Sequence, residues 1–228
     1  MSAGGIWAVV PVKETEGAKQ RLAPLLTPAQ RRDLVMAMAE DVLDVLASMT
    51  ALAGILVVTL DAGATRLAQR VGARVLTDGA RDGHTGAVTA GARVLAREGR
   101  AGMITLPGDI PRITADEVAV VLGAHCAAPS FTIVPAHDDR GSNAVVCSPP
   151  DVVPLRFGND SFFRHLDAAR ERGIEPTIMR LPGMAMDIDH PADLAAFVRM
   201  QPPMRTRAAA LLHEFGVFMD SRFRGNDE

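Results

Sequence analysis

The 228-residue chain has no tyrosine, one tryptophan and two cysteines, and aromatic residues make up 4% of it. So few aromatic faces exclude the stacking platforms that bind single-stranded nucleic acid. Charge of one sign is missing too: 24 Lys and Arg stand against 27 Asp and Glu, for a net charge of −3. No global basic field exists to draw the chain to nucleic acid or to an anionic membrane. The cysteines, Cys126 and Cys147, have neither CxxC spacing nor the density of a disulfide framework, and they read as two buried thiols in a reducing compartment. Apolar runs such as Val118–Leu122 and Ile55–Val58 fall far short of the roughly 18 residues of a membrane span. The first charged side chain is Lys13, so no basic segment of a signal peptide is expected. These absences point to a cytoplasmic protein with no nucleic-acid or membrane partner.

Three motifs are also absent. Without G-x-x-x-x-G-K-[ST], without G-x-G-x-x-G after the first strand, and without G-x-S-x-G, a P-loop triphosphatase, a dinucleotide oxidoreductase and an elbow hydrolase are disfavoured.

What is present is an alternation of strand and helix patterns. Ile6–Val12 is a β-branched apolar run, followed by a polar loop from Lys13 to Arg21. Thr27 and Pro28 open a helix in which Leu34, Val35, Met38, Val42, Val45 and Leu46 recur at helical spacing. Then come a strand at Gly54–Leu60, a helix from near Ala62, a strand at Arg74–Leu76, a helix from about Thr85 to Glu98, and a strand at Gly102–Leu106. Thr114 and Glu117 have the spacing of a capping box for a helix reaching about Ala124. Strands at Phe131–Pro135 and Asn143–Ser148, a helix at Asp160–Arg172, a strand at Pro176–Leu181 and a helix at Pro191 complete the pattern. Such alternation with short connections implies a three-layer α/β fold with a mostly parallel sheet and right-handed crossovers. Residues 1–203 read as one domain. Residues 204–228 read as an amphipathic helix at Met204–Met219 and a frayed polar tail at Asp220–Glu228.

In an open parallel sheet, ligands bind beyond the carboxyl ends of the strands. The first strand delivers Lys13, with Lys19 and Arg21 on its loop; Gly102–Leu106 delivers Asp109; and Pro176–Leu181 leads to Asp187 and Asp189. Phosphate-neutralising cations together with carboxylates for Mg²⁺ are what a nucleoside triphosphate requires. Each element also has an ordinary explanation: solvated loop cations, a turn aspartate at Asp109, an N-terminal capping role at Asp189 or His190. Asp187 and Asp189 flank one residue, so an extended segment sets them on the same side, where they repel unless a cation lies between. The segment Arg156–Ser161 enters a helix, whose backbone N–H groups and Ser161 hydroxyl would form an anion site. Asp138–Asn143 reads as a hairpin connection. The loop Arg81–Gly86 opens another helix and suits close approach of a nucleotide. The histidines have no metal-ligand spacing, and His84 alone falls in a candidate binding loop.

Taken in order, Trp7–Lys13, Ala18–Leu22, Leu106–Pro111, Asp139–Asn143, Arg156–Gly158 with Ser161 and Phe162, and Met186–Asp189 closely resemble the phospholactate guanylyltransferase family, which serves biosynthesis of the deazaflavin coenzyme factor 420. The resemblance covers roughly residues 6 to 199. It implies a Rossmann-like sheet of the nucleotide-diphospho-sugar transferase type, Mg²⁺, and transfer of GMP from GTP to a small phosphorylated carboxylic acid: 2-phospholactate, phosphoenolpyruvate or 3-phosphoglycerate. By position it assigns Pro11, Val12, Lys13, Lys19, Arg21, Gly83, Thr85, Pro107 and Gly108 to the nucleotide, with Lys13, Lys19, Arg21 and Asp109 at the chemistry. It assigns Asp109, Asp187 and Asp189 to the metal, and Ser142, Asn143, Gly158 and Ser161 to the acceptor. One segment departs: where family members carry Gly-Leu-Asn in the third nucleotide loop, Gly83-His84-Thr85 stands here, which bears on base preference. A homodimer is left open. The alternatives are a nucleotidyltransferase acting on a sugar phosphate or a pterin cofactor, and a nucleotide-binding relative without catalysis. An aspartyl phosphatase is disfavoured, because its D-x-D would follow the first strand.

Overall fold

The computed structural model describes residues 5–200 and 205–217. Its strands are β1 Ile6–Pro11, β2 Gly54–Val58, β3 Arg74–Leu76, β4 Gly102–Thr105, β5 Ser130–Pro135, β6 Ser142–Ser148 and β7 Thr177–Ile178. The helices are α1 Pro28–Ala47, α2 Ala62–Arg70, α3 Gly83–Arg97, α4 Ala115–Ala124, α5 Ser161–Glu171, α6 Pro191–Val198 and α7 Arg207–Glu214. The strands form one sheet in the order β3-β2-β1-β4-β6-β5-β7. All pairings are parallel except those of β6, which runs antiparallel to both β4 and β5. Strand order reverses between β1 and β4, and this is where a doubly wound sheet opens a crevice at its carboxyl edge.

Helices cover both faces, as period-3.6 apolar stripes require. On one face Val42, Leu43 and Leu46 of α1 meet Val10, Val57 and Ile104 of the sheet; on the other Val88 and Leu95 of α3 and Leu166 of α5 meet Val9, Met103 and Phe131. The N-terminus of α1 carries the expected cap: Thr27 accepts from the Gln30 N–H, and the Gln30 side chain accepts from the Thr27 N–H. A third cluster joins Leu34 and Met38 of α1 to Leu194 of α6 and Ala208 and Leu212 of α7.

Several expectations are corrected. Thr114 caps α4 by accepting from the Glu117 N–H, but the box does not close, because the Glu117 carboxylate accepts from the Gly183 N–H at 2.7 Å. The strand expected over Pro176–Leu181 shrinks to Thr177–Ile178: it lies at the sheet edge beside β5 only, and the chain turns where the Ala185 N–H bonds the Leu181 carbonyl. Cys126 is exposed, and only Cys147 is buried, where desolvation raises its thiol pKa. The amphipathic helix expected over Met204–Met219 is present as α7 and packs on the domain: Ala208 and Leu212 are fully buried, and the Asp41 carboxylate accepts from the Arg207 N–H at 2.9 Å and the Ala208 N–H at 3.0 Å. The polar segment Asp220–Glu228 lies outside the described residues. No described helix is long and apolar enough to cross a membrane.

Candidate active site

The crevice at the carboxyl edge is a cavity of about 1230 Å³. Pro11, Val12, Lys13, Lys19 and Arg21 line it from the end of β1, and Pro107, Gly108 and Asp109 from the end of β4. Ser142 and Asn143 reach it from the start of β6, Gly158 and Ser161 from the entry to α5, and Asp187 and Asp189 from the loop before α6. Five segments far apart in sequence thus converge as expected. Gly83 and Thr85 do not line the cavity; His84 between them does. Thr85 is occupied elsewhere, its hydroxyl accepting from the Phe157 N–H at 3.0 Å, which ties the start of α3 to the loop before α5.

The cation loop is held from below by two residues that sequence reasoning missed. Asp61, the N-cap of α2, spends one carboxylate oxygen on the Ala64 N–H and the other on the Thr15 N–H at 3.1 Å and the Thr15 hydroxyl at 2.9 Å. Burial pushes its pKa up, but these donors outweigh it and hold the carboxyl below the usual range. Buried Arg31 donates to the carbonyls of Ala18 at 3.1 Å and Leu26 at 2.8 Å. Between these supports Lys19 takes a left-handed backbone conformation, φ 50°, and opens a short 3₁₀ turn over Gln20–Leu22.

Lys19 ends between two carboxylates. Its Nζ lies 2.6 Å from Asp109 Oδ2 and also bonds Asp189 Oδ1. Burial alone would lower the ammonium pKa, but Asp109 and Asp189 together raise it; for Asp189, burial raises, and Lys19 with Arg21 and His190 more than reverses it. Asp187 has no such cation. Burial first, then the charges of Asp109 and Asp189, push its pKa up, and Asn143 Nδ2 donates to it at 3.1 Å. Asn143, expected on the acceptor, is thus already engaged, with a second bond to the Met184 carbonyl at 3.0 Å. The loops themselves are joined, since the Ile188 N–H bonds the Asp109 carbonyl at 3.1 Å.

Among the described residues no three His, Cys, Asp or Glu side chains are gathered so as to hold a metal ion, and an ammonium stands between two of the carboxylates. The donor chemistry nonetheless suits Mg²⁺. These are hard carboxylate oxygens crowded enough to disturb one another, and Mg²⁺ takes only one or two of them when substrate phosphates supply the rest.

The side of the cavity formed by β6 and the entry to α5 is built differently. Ser142, Ser161 and the fully buried His165 form a connected cluster, with Ser142 Oγ 2.9 Å from His165 Nδ1 and 3.1 Å from Ser161 Oγ. The anion site expected from the α5 backbone is partly consumed: the Ser161 N–H bonds the Gly158 carbonyl and the Phe162 N–H the Arg140 carbonyl. Gly158 sits at φ +119°, a conformation that a side chain would strain. His84 is not the only histidine at the cleft, since His137 and His190 also line it and His190 Nε2 lies 3.1 Å from Arg21. His165 was missed altogether, because on α5 its spacing is that of an ordinary core position; only its surroundings identify it.

A doubly wound sheet whose carboxyl edge gathers cations, three acids and a hydroxyl cluster defines a nucleotidyltransferase-type α/β enzyme. A chain from Desulfovibrio desulfuricans G20 described as a nucleotide-diphospho-sugar transferase has this fold, with a TM-score of 0.74 at 18% identity over 98% of this chain and 99% of that one. Residues 6–217 match the family model "Guanylyl transferase CofC like", and the chain belongs to that family. It is 36% identical over 204 residues to a phosphoenolpyruvate guanylyltransferase of Conexibacter woesei, covering 89% of this chain and 92% of that one. It is 31% identical over 196 residues to a 3-phospho-D-glycerate guanylyltransferase of Colwellia psychrerythraea, covering 86% and 92%.

Proposed function

We propose that this guanylyltransferase moves GMP from GTP to the phosphate of a small phosphorylated carboxylic acid in deazaflavin coenzyme biosynthesis, with Mg²⁺ as its cofactor. The observation that carries the reading is the convergence of Lys13, Lys19, Arg21, Asp109, Asp187 and Asp189 beside the Ser142–Ser161 cluster in one cavity. Phosphoenolpyruvate is the first acceptor to test, since the relative named for it is 36% identical against 31% for the one named for 3-phospho-D-glycerate.

An acceptor phosphate oxygen is already anionic at neutral pH, so the reaction needs no general base. That oxygen attacks the α-phosphorus of GTP and forms a new P–O bond. The bond from the α-phosphorus to the bridging oxygen breaks, and pyrophosphate leaves with the electron pair. The barrier is charge repulsion and alignment. Lys13, Lys19 and Arg21 neutralise the triphosphate and the departing pyrophosphate, while the Ser142 hydroxyl, backed by that of Ser161, orients the acid. Asp109, Asp187 and Asp189 would hold Mg²⁺, which when bound supplies Lewis-acid stabilisation of the phosphoryl oxygens. The family reading is sharpened by pyrophosphate release from GTP, CTP, ATP and UTP, each with phosphoenolpyruvate, 2-phospholactate and 3-phosphoglycerate, with product masses recorded. Release with GTP and one acid is expected. A sugar phosphate is run as a fourth acceptor, and release with another nucleotide on that acceptor alone would replace the reading.

A further inference from the structure

The hydrogen bonds around Ser142 leave the direction of one proton to be decided, and following that proton assigns a task to a residue buried behind the cavity. His165 is fully buried on α5. Its Nε2 accepts from the backbone N–H of Arg156 at 2.8 Å. An amide can only donate, so Nε2 carries a lone pair. Burial above all, then the nearby His84, brings the imidazole pKa down to about 4, so the ring is neutral near pH 7. A neutral ring holds its single proton on the other nitrogen, and Nδ1 therefore donates to Ser142 Oγ at 2.9 Å.

Ser142 Oγ also accepts from the Ser161 hydroxyl at 3.1 Å. A serine oxygen has two lone pairs and one proton. With both lone pairs taken, the proton of Ser142 is left to donate, and Ser142 lines the cavity. The α5 backbone offers less help there, since the N–H groups of Ser161 and Phe162 are already bonded to the Gly158 and Arg140 carbonyls. The ring is also held in orientation: Phe157 packs edge-on at 4.9 Å between centroids.

We propose that His165 is a positioning residue for the acceptor. Fixed as the Nδ1–H tautomer by the Arg156 N–H, it commits the hydroxyl proton of Ser142 to the cavity, where that proton is donated to an anionic oxygen of the acid. This rests on the acceptor reading given above. Without the imidazole donor the Ser142 hydroxyl rotates, and its proton is shared with Ser161 instead of facing the substrate.

Two nearly isosteric variants separate the two ring nitrogens. In His165→Asn the amide NH₂ takes the place of Nδ1 and still donates to Ser142. In His165→Gln the amide falls near Nε2, where it serves Arg156 and leaves Ser142 without its donor. Steady-state kinetics with GTP and the active acid should give an acceptor KM near wild type for Asn and raised about 10-fold for Gln, the equivalent of one hydrogen bond to a charged group. The KM for GTP should stay within about twofold in both. In a Ser142→Ala background the Gln variant should add no further loss, because coupled residues are non-additive. The proposal is overturned if Asn and Gln raise the acceptor KM equally, if the KM for GTP rises in step, or if the Gln loss persists in full without Ser142. A wild-type protein silent with every acid overturns the acceptor reading as well, which separates that failure from one of His165 alone.

Discussion

The two halves of the cavity solve different problems with different chemistry. The half fed by β1 and β4 is ionic, with an ammonium shared between Asp109 and Asp189 and cations on a loop clamped by Asp61 and Arg31. The half fed by β6 and α5 sets two hydroxyls and an uncharged imidazole together, with the charges of Arg140 and Asp160 at its rim paired to each other. A triphosphate is recognised through charge, which is strong but carries little information about shape. Small acids that differ by a methyl or a hydroxyl are told apart by groups with a fixed direction, where a misplaced donor costs about 1–3 kcal/mol. The difference teaches that turnover should depend on the ionic half and acceptor choice on the other.

The largest blow to that division comes from Asp109→Asn, which removes one of the two carboxylates that Lys19 bridges. Turnover should fall by about 10² or more, as for other electrostatic catalytic groups. A variant with near-normal kcat would take Asp109 out of the reacting centre. Next in size is Asp61→Ala, which touches no substrate but frees Thr15 and the cation loop. It should raise the KM for GTP by about 10-fold and lower stability by about 1 kcal/mol through the lost N-cap of α2. An unchanged KM for GTP, with the acceptor KM raised instead, would break the comparison.

A separate effect, away from turnover, concerns stability. His84 and His165 both have folded pKa values down to about 4, from 6.5, mainly through burial. In the unfolded chain they bind protons near pH 6.5, so the folded state loses stability as pH falls from there toward 4 and is indifferent above. Denaturant unfolding at pH 7.5 and pH 5 should show the loss, with a smaller difference in His165→Asn. Equal stability at the two pH values would mean that these imidazoles are not buried in their neutral form.

The layer order and nearly every element were legible in the sequence, because apolar periodicity reports burial directly. The Pro176–Leu181 strand was not, since an edge strand is trimmed by what lies beside it. Nor did α7 read as part of the fold, because its docking depends on Asp41, a carboxylate some 160 residues earlier in the chain. The ionic residues could be found because charges at strand ends stand out against an apolar background. Their supports could not: Asp61 looks like any N-cap, Arg31 like any helix arginine, and His165 like a core residue. Thr85 shows the converse. A polar residue in a promising loop was spent on holding that loop in place.

The reversed strand β6 has a consequence for how this cavity can change. Along it, neighbouring side chains point to opposite faces: Ser142 meets His165, while Asn143, one position on, meets Asp187. A single strand therefore feeds both halves, and its phase decides which half each residue serves. Pairing with β5 already shifts register between Val134 and Pro135, beside the Asp138–Gly141 turn. A slip of β6 by one residue would send the amide toward the imidazole and the hydroxyl toward the acids, and would turn every other buried side chain of the strand to the opposite face. Because β6 is held on both sides, by β4 and by β5, the division of the cavity is fixed by the sheet and by neither loop alone.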